Sequence, residues 1–439
     1  MKKFIVSLLS LFLLFSLAAC NSSSTTNKNQ SDSGTKRDAG KDEKVTLRMA
    51  WWGNQPRHDY TLKMIELYEK ENPNVKIEPE YASWDDYWKK LAPQAAANRL
   101  PDIIQMDLSY ITEYSTNNQL ADLSSFYSKE IDTSDLSQNF LDGGKIDDKY
   151  YGLTASMVAL SYQYDPELLK KIGIEKVPAD WTWDDYIEMG EKASAAGLYI
   201  DNGPGTAPDV LFNYYLRSKG QRLYSENGTE LGYKDDKYFE DYFKMYSDMV
   251  KNKSILSPDA IAQVKGLEDN PVVKQQSIGL VQWASQLSGL QQIANRPLEI
   301  VGLPGPNADK GLFIKPGMFW SISNSSEKKA EAAKFIDFLT NNIEANKIML
   351  GERGIPGSSK VQKALEPLLS PVQQQIFNYV AWAENNSSAF NGPDPSGAGE
   401  VINLLKNFAD QVVFGVIKPE DAAKQFRQQA EAVLAQNRK

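Results

Sequence analysis

From Val45 onward the chain alternates apolar and polar positions. In "VTLRMAWW", Val45, Leu47, Met49 and Trp51 share one face and Thr46, Arg48, Ala50 and Trp52 the other, a period of two that predicts a strand. The period then lengthens. In "DYTLKMIELYEKEN", Leu62, Ile65 and Tyr68 recur at helical spacing, Asp59 or Thr61 stands near the start, and Asn72-Pro73 supplies the stop, because the residue before proline is pushed out of the helical region. "VKIEPEY" reads as a second strand, "WDDYWKKLAPQAAANR" as a helix and "PDIIQMD" as a third strand. Strand–helix–strand–helix–strand order predicts a parallel sheet with right-handed crossovers. Ligands of such sheets bind beyond the carboxyl ends of the strands. Residues Trp52 to Arg57 and Asp107 to Tyr110 should therefore face one cleft. Parity puts Trp51 in the core and leaves Trp52 to meet a ligand.

Further along, "KIDDKYYGLTASMVALSYQYDPELLKKIGI" predicts a hairpin and a strand feeding a helix, and "VPADWTWDDYIEMGEKASAAG" another helix. Beyond the loop "DNGPGTAPD", helices are expected from Val210 to about Gly220 and from Asp235 to about Asn252. "SIGLVQWASQL" and "PLEIVGLPGP" read as short strands, and "GMFWSIS" precedes the helix "KKAEAAKFIDFLTNN". Helices from about Pro371 to Glu384 and from Gly399 onward close the chain. No fixed-period repeat is present, although Trp-Asp-Asp-Tyr occurs at 84–87 and again at 183–186.

The segment before Val45 has a different character. Lys2 and Lys3 precede an apolar run too short for a spanning helix but suited to a secretory signal, ending in "LAAC". Small residues before Cys20, the one cysteine of 439 residues, resemble the lipobox of bacterial lipoproteins. The expectation is a signal peptide over 1–20, lipidation of Cys20 and stable anchoring by more than one acyl chain. With that thiol consumed, no disulfide or thiol chemistry remains. Residues 21–43 carry no large apolar side chain and read as a flexible tether. The remainder is long enough for two domains. Without Lys2 and Lys3 the formal charge falls from −9 to −11, which argues against a nucleic-acid partner.

Enzymatic signatures are largely missing: the chain has no P-loop pattern, no G-x-S-x-G and no H-E-x-x-H. One histidine and one cysteine leave no nitrogen–sulfur metal cluster, so neither metal nor cofactor is expected. Ser325-Ser326-Glu327-Lys328 matches S-x-x-K but lies where a loop enters a helix. Asp85-Asp86 and Asp184-Asp185 open predicted helices, where acids cap free N–H groups. Adjacent helical residues also point about 100° apart, so neither doublet makes a glycosidase pair. Lone His58, without a visible nucleophile, suits a solvent-facing or ligand-bonding imidazole better than a general base.

The positive signal is aromatic and amide-rich. Among nine Trp and twenty-one Tyr, several fall in predicted loops beside planar polar groups. Trp52 lies near Asn54, Gln55 and Arg57, and Trp84 follows Ser83. Tyr110 follows Asp107, Trp283 lies between Gln282 and Ser285, and Trp382 precedes "ENN". Flat rings stack on the C–H faces of sugars while amides and carboxylates take hydroxyl hydrogen bonds. Arg57 offers a planar fork for a uronate carboxylate; the alternative is that it pairs with Asp59 or Asp107 and the ligand is neutral.

These segments carry a family likeness. The lipobox, the tether, "YEKENPNVKIE", "WDDYWKKLAPQAAANRLPDIIQMD", "YGLTASMVALSYQYDPELLKKIGI", "DWTWDDY" and "AAKFIDFLTNNIEANK" followed by "GERGIPGS" resemble the extracellular solute-binding proteins of bacterial ABC sugar importers, family 1 type. "AWWGNQPRHDY" and the Trp-Asp-Asp-Tyr-Trp run are most similar to the branch that captures pectin-derived, rhamnogalacturonan-type oligosaccharides. The resemblance implies an α/β periplasmic-binding-protein-like fold of two lobes, each a mostly parallel sheet flanked by helices, joined by a multi-segment hinge. Lobe one would take 44–156 and 310–360, and lobe two 157–309 and 361–439. The crossings would fall near Ser156, Pro304 to Pro306 and Ile355 to Ser358. Ligand positions implied are Trp52 to His58, Trp84, Asp107, Tyr110, Trp283, Ser285, Asn391 and Asp394. The family's Gly-x-Trp in the lobe-two strand is absent, and "VQWASQ" places its Trp a few residues earlier. The function implied is capture of an oligosaccharide, without turnover, by a monomer lipid-anchored outside a Gram-positive type membrane and docking on an ABC permease. The rivals are a secreted carbohydrate-active enzyme and a cell-surface adhesion module.

Overall fold

A computed structural model describes residues 44–202 and 208–437. The proposed lipidation at Cys20, the tether and part of the "DNGPGTAPD" loop lie outside the described residues. Among the described residues ten strands run in order: β1 (Val45–Trp52), β2 (Val75–Ala82), β3 (Ile103–Met106), β4 (Lys145–Ile146), β5 (Lys149–Tyr150), β6 (Leu153–Val158), β7 (Leu160–Tyr164), β8 (Gly279–Trp283), β9 (Glu299–Val301) and β10 (Lys315–Ile322). They form a five-stranded sheet of order β2-β1-β3-β10-β6, a three-stranded sheet of order β8-β7-β9 and the small β4-β5 hairpin.

Strands β1, β2 and β3 are parallel, as their alternation with helices predicts. Both faces of this sheet are covered, which the alternating sequence of β1 encodes. Leu47, Met49 and Trp51 enter a core with Tyr60, Met64, Ile65 and Tyr68 of helix Gln55–Glu71 and with Phe335 and Ile336 of helix Lys329–Asn341. Ala50 and Trp52 enter a second core with Tyr87, Trp88 and Leu91 of helix Trp84–Ala96 and Ile111 and Tyr114 of helix Leu108–Thr116. A third core surrounds the three-stranded sheet and takes in the helices Trp183–Ala195, Lys237–Lys251, Pro371–Asn385, Ala398–Val413 and Pro419–Leu434.

The expectation of a mostly parallel sheet in each half needs correction. Strand β10 is antiparallel to both β3 and β6, and β7 is antiparallel to both β8 and β9. Connectivity supplies the reason. Strands β1 and β3 end at the cleft between the sheets, whereas β10 begins there, its first residues Lys315, Gly317 and Met318 lining it. A strand that enters at the cleft end runs against one that leaves there. The chain crosses between sheets at Ala159, the one residue between β6 and β7. Met157 and Ile355 exchange backbone hydrogen bonds of 2.9 Å beside that crossing.

Candidate functional site

Between the two sheets lies a cleft of about 1980 Å³, lined from one side by the ends of β1, β3 and β6 and from the other by Gln282 and Trp283 at the end of β8. Its aromatic wall is continuous. Trp52 meets Trp84 edge-on at 4.9 Å, Trp84 meets Trp88 at 5.5 Å, and Trp88 stacks on Tyr110 at 3.8 Å. Trp52 itself is only 7% exposed, so the parity argument gave its face correctly but overstated its freedom. Trp84, half-buried at the helix start, presents more surface. Trp88 was missed by the sequence reading. Its signal was available, since Trp84 and Trp88 lie four apart and share a helix face.

The cleft's polar centre joins segments far apart in sequence. Asp107 caps helix Leu108–Thr116 by accepting from the Ser109 backbone N–H at 3.0 Å, and its other oxygen takes Lys315 Nζ at 3.0 Å. The same ammonium sits 4.9 Å from the centroid of the Trp283 ring. Asp394 arrives from the opposite wall: Ser109 Oγ lies 3.5 Å from Asp394 Oδ2, and Thr112 Oγ1 donates to the Asp394 carbonyl at 2.6 Å. Burial, then the Asp107 charge, pushes the Asp394 carboxyl up to about 7, against the pull of Lys315. Burial also raises Asp209, which lines the same region. Lys315 and Asp209 were not foreseen; a lysine opening a strand and an aspartate in a helix's first turn are unremarkable as sequence. Ser285 and Asn391 line the cleft as well, the first buried and the second exposed.

A second polar corner lies at the start of helix Gln55–Glu71. The helix begins four residues earlier than Asp59 because Asn54 is its cap, Oδ1 accepting from Arg57 N–H at 3.2 Å, and Pro56 occupies the first turn. Missing its own N–H and pre-set in φ, proline fits that position. Arg57 Nη1 lies 3.4 Å from the Trp52 carbonyl, and among the described residues no carboxylate comes within ion-pair distance of Arg57. Asp107 is engaged by Lys315, and Asp59 accepts from Gln55 Nε2 at 2.6 Å. Arg353 and Glu352 complete this corner.

Three of the expected ligand residues lie elsewhere. Gln55 points to Asp59 on the exposed helix face, outside the cleft lining. His58 is buried: its Nδ1 accepts from Trp51 Nε1 at 3.1 Å and its ring stacks on Tyr81 at 4.3 Å. Burial, followed by the charges of Arg57 and Arg353, holds its pKa below the ordinary value. Helical rotation explains His58, since adjacent helical residues point about 100° apart and it is Arg57 that takes the cleft side. Trp382 packs on Tyr379 at 5.5 Å and over Gly302, on the outer side of helix Pro371–Asn385 and outside the cleft lining.

Both acid doublets stand in first helical turns. Asp85 and Asp86 stand in the first turn of helix Trp84–Ala96, and Asp185 closes a capping box with Thr182. In the S-x-x-K run, Ser326 Oγ bonds Asp102 and the helix starts at Lys329. Among the described residues no group of three or more His, Cys, Asp or Glu side chains is placed to hold a metal ion, and no helix is long and apolar enough to cross a membrane.

Comparison with known proteins gives this cleft its context. The chain is 22% identical over 382 residues to a putative binding protein of Brucella abortus (strain 2308), covering 85% of this chain and 90% of that one. It is also 22% identical over 363 residues to a carbohydrate ABC transporter substrate-binding protein of Streptococcus pneumoniae, covering 77% of this chain and 69% of that one. In fold it is similar to a periplasmic oligogalacturonide binding protein from Yersinia enterocolitica, solved with saturated digalacturonic acid. The TM-score is 0.79 and the identity 23%, with 90% of this chain and 100% of that one covered. The model of the bacterial extracellular solute-binding protein family matches residues 53–345, from the residue after β1 to the helix that follows Lys329–Asn341. Two sheet-centred halves, a shared cleft and a match across two thirds of the sequence agree, and the chain belongs to the bacterial extracellular solute-binding protein family.

Proposed function

We propose that the protein captures an oligosaccharide in the cleft between its two sheets and, without chemical turnover, hands it to an ABC permease. The observation that carries this reading is the cleft's wall: contiguous aromatic rings from Trp52 to Tyr110 facing Trp283, with carboxylate, amide and guanidinium groups between them. Rings of this kind stack on sugar C–H faces, and the planar polar groups take pairs of hydroxyl hydrogen bonds. The two halves act as lobes that close on ligand about the crossing at Ala159, the Met157–Ile355 bridge and the segment before Lys315. Ligand shifts this equilibrium only through contacts made better in the closed form. A micromolar affinity, about 8 kcal/mol, is within reach of a few stacked rings and several hydrogen bonds.

The preferred ligand is acidic and pectin-derived, of rhamnogalacturonan type. Arg57 supports this, as a guanidinium lining the cleft with no carboxylate in ion-pair range among the described residues. The name of the Streptococcus relative supports a carbohydrate ligand, and the digalacturonic acid of the Yersinia structure an acidic one. Lipidation at Cys20 would hold the monomeric protein at the outer face of the membrane beside its permease. Among the described residues, an arrangement that resembles a glycosidase is Asp394, with its raised carboxyl, under the influence of the Asp107 charge. Asp107, however, is committed to Lys315 and to a helix cap. A thermal-shift screen against pectin, xylan, arabinan and glucan oligomers tests the reading, with product analysis alongside. Stabilisation by pectin oligomers with no new reducing or unsaturated ends is expected. Silence across every class, or turnover, would overturn it.

A further inference from the structure

Near Arg57 the cleft lining holds one buried group without a hydrogen-bond partner and one buried cation without a counter-charge. Tyr60 lines the cleft and is 7% exposed, yet its hydroxyl has no hydrogen-bond partner. Arg353 also lines the cleft and is 2% exposed. Its guanidinium bonds Gln105 Oε1, Thr61 Oγ1 at 2.9 Å and Met318 Sδ at 3.1 Å, all of them neutral. It lies 4.8 Å from the Trp320 ring centroid and 5.5 Å from that of Tyr60. Among the described residues it makes no ion pair. Burying a cation without a counter-charge is costly, and the rings and dipoles around Arg353 offset only part of that cost.

The three side chains belong to one corner. Arg57 and Tyr60 are three apart on one helix face. Thr61 Oγ1 donates to the Arg57 carbonyl at 2.7 Å while accepting from Arg353. The N-terminus of the 17-residue helix Gln55–Glu71 adds its positive end. Glu352 lines the cleft here and feels the Arg57 charge. Burial raises its pKa, while a hydrogen bond from Ser288 and the Arg57 charge lower it.

We propose that Arg57, Tyr60 and Arg353 form an anion subsite that takes the carboxylate of a uronic acid unit, with the Tyr60 hydroxyl donating to it and the two guanidinium groups supplying the counter-charge. This rests on the oligosaccharide reading above and sharpens it: the subsite sets the preference for acid over neutral sugar. Glu352 then marks the edge of the subsite, since a carboxylate placed beside it would be repelled.

The test is calorimetry on the folded protein with rhamnogalacturonan and homogalacturonan tetramers, each compared with the same tetramer after reduction of its carboxyls to alcohols. Wild type is expected to bind at least one acid form tenfold or more tightly than its reduced form. Tyr60→Phe keeps the ring beside Arg353 and removes a hydroxyl that has no partner, so the melting temperature should hold. The acid-to-alcohol affinity ratio should nevertheless fall at least threefold, and Arg57→Gln should bring it close to one. Equal affinity for acid and reduced forms, or a ratio unmoved by Tyr60→Phe, would overturn the subsite and leave oligosaccharide capture standing. Failure of every acid and neutral oligomer to bind would remove the oligosaccharide reading and the subsite with it.

Discussion

Asp394→Asn should make the ligand-free protein more stable at neutral pH, even though it alters the best-placed acid in the cleft. Burial, then Asp107, pushes this carboxyl from an ordinary 3.8 to about 7, while Lys315, Asp209 and Ser109 make smaller contributions of both signs. The folded state therefore holds the proton more tightly than the unfolded chain. For an acid shifted upward, the penalty is absent below about pH 4, grows with pH, and is complete above about pH 7. At roughly 1.4 kcal/mol per tenfold change in proton affinity, the ceiling is about 4 kcal/mol. The carboxyl keeps partial solvent access, so roughly 1–3 kcal/mol is expected. Asparagine removes the charge and keeps the shape; the Thr112 hydrogen bond goes to the backbone carbonyl and survives. Urea unfolding of wild type and variant at pH 8 and at about pH 4.5 measures the difference. A midpoint raised at pH 8, with most of the gain gone at about pH 4.5, is the expected outcome. A variant less stable at pH 8, or a gain equal at both values, would refute the electrostatic picture of the cleft centre.

Other substitutions separate cleft from core. His58→Ala should cost about 1–3 kcal/mol, from a lost buried hydrogen bond and ring stack, and leave oligosaccharide affinity within twofold by calorimetry. Because the His58 pKa is lowered by burial, its contribution is present above the ordinary value of 6.5 and lost as the pH falls below it. The gap between wild type and His58→Ala should therefore narrow in acid. Gly354 has φ +125°, and an added Cβ would lie 2.6 Å from the Met157 carbonyl beside the crossing. Gly354→Ala should cost more than about 2 kcal/mol by thermal unfolding. Lys315→Met should destabilise by about 3 kcal/mol, since it strands the buried Asp107 carboxylate.

What was legible from sequence follows how locally it is determined. The period of two in β1 assigned Trp51 and Trp52 to opposite faces of the sheet; that the Trp52 face is also covered, by a second core, was not read from it. Most of the longer helices were found because their apolar stripes repeat every turn, whereas short ones such as Leu108–Thr116 and Ile343–Met349 were not. The start of helix Gln55–Glu71 was misplaced because Asn54 and Pro56 read as loop residues until their capping geometry is seen. That shift of four residues is what moved His58 from the cleft to the interior. Strand direction in β10 and in the three-stranded sheet depends on where the chain returns from, which local pattern does not encode. The pairing of Asp394 with Ser109, 285 residues apart, and of Arg353 with Thr61, 292 apart, is tertiary by nature. Arg353 was within a quoted family motif, yet its sequence setting gave no hint of burial.

The central claim is that ligand is held between the two halves, by aromatic surface from both. The most direct measurement is calorimetric titration of a pectin-derived oligomer into wild type, Trp84→Ala and Trp283→Ala. These variants remove one ring from each wall, at positions that are only half-buried. One site per chain is predicted, with each variant weakening affinity by about tenfold or more. Binding unchanged in both variants would contradict the claim, as would loss confined to one wall.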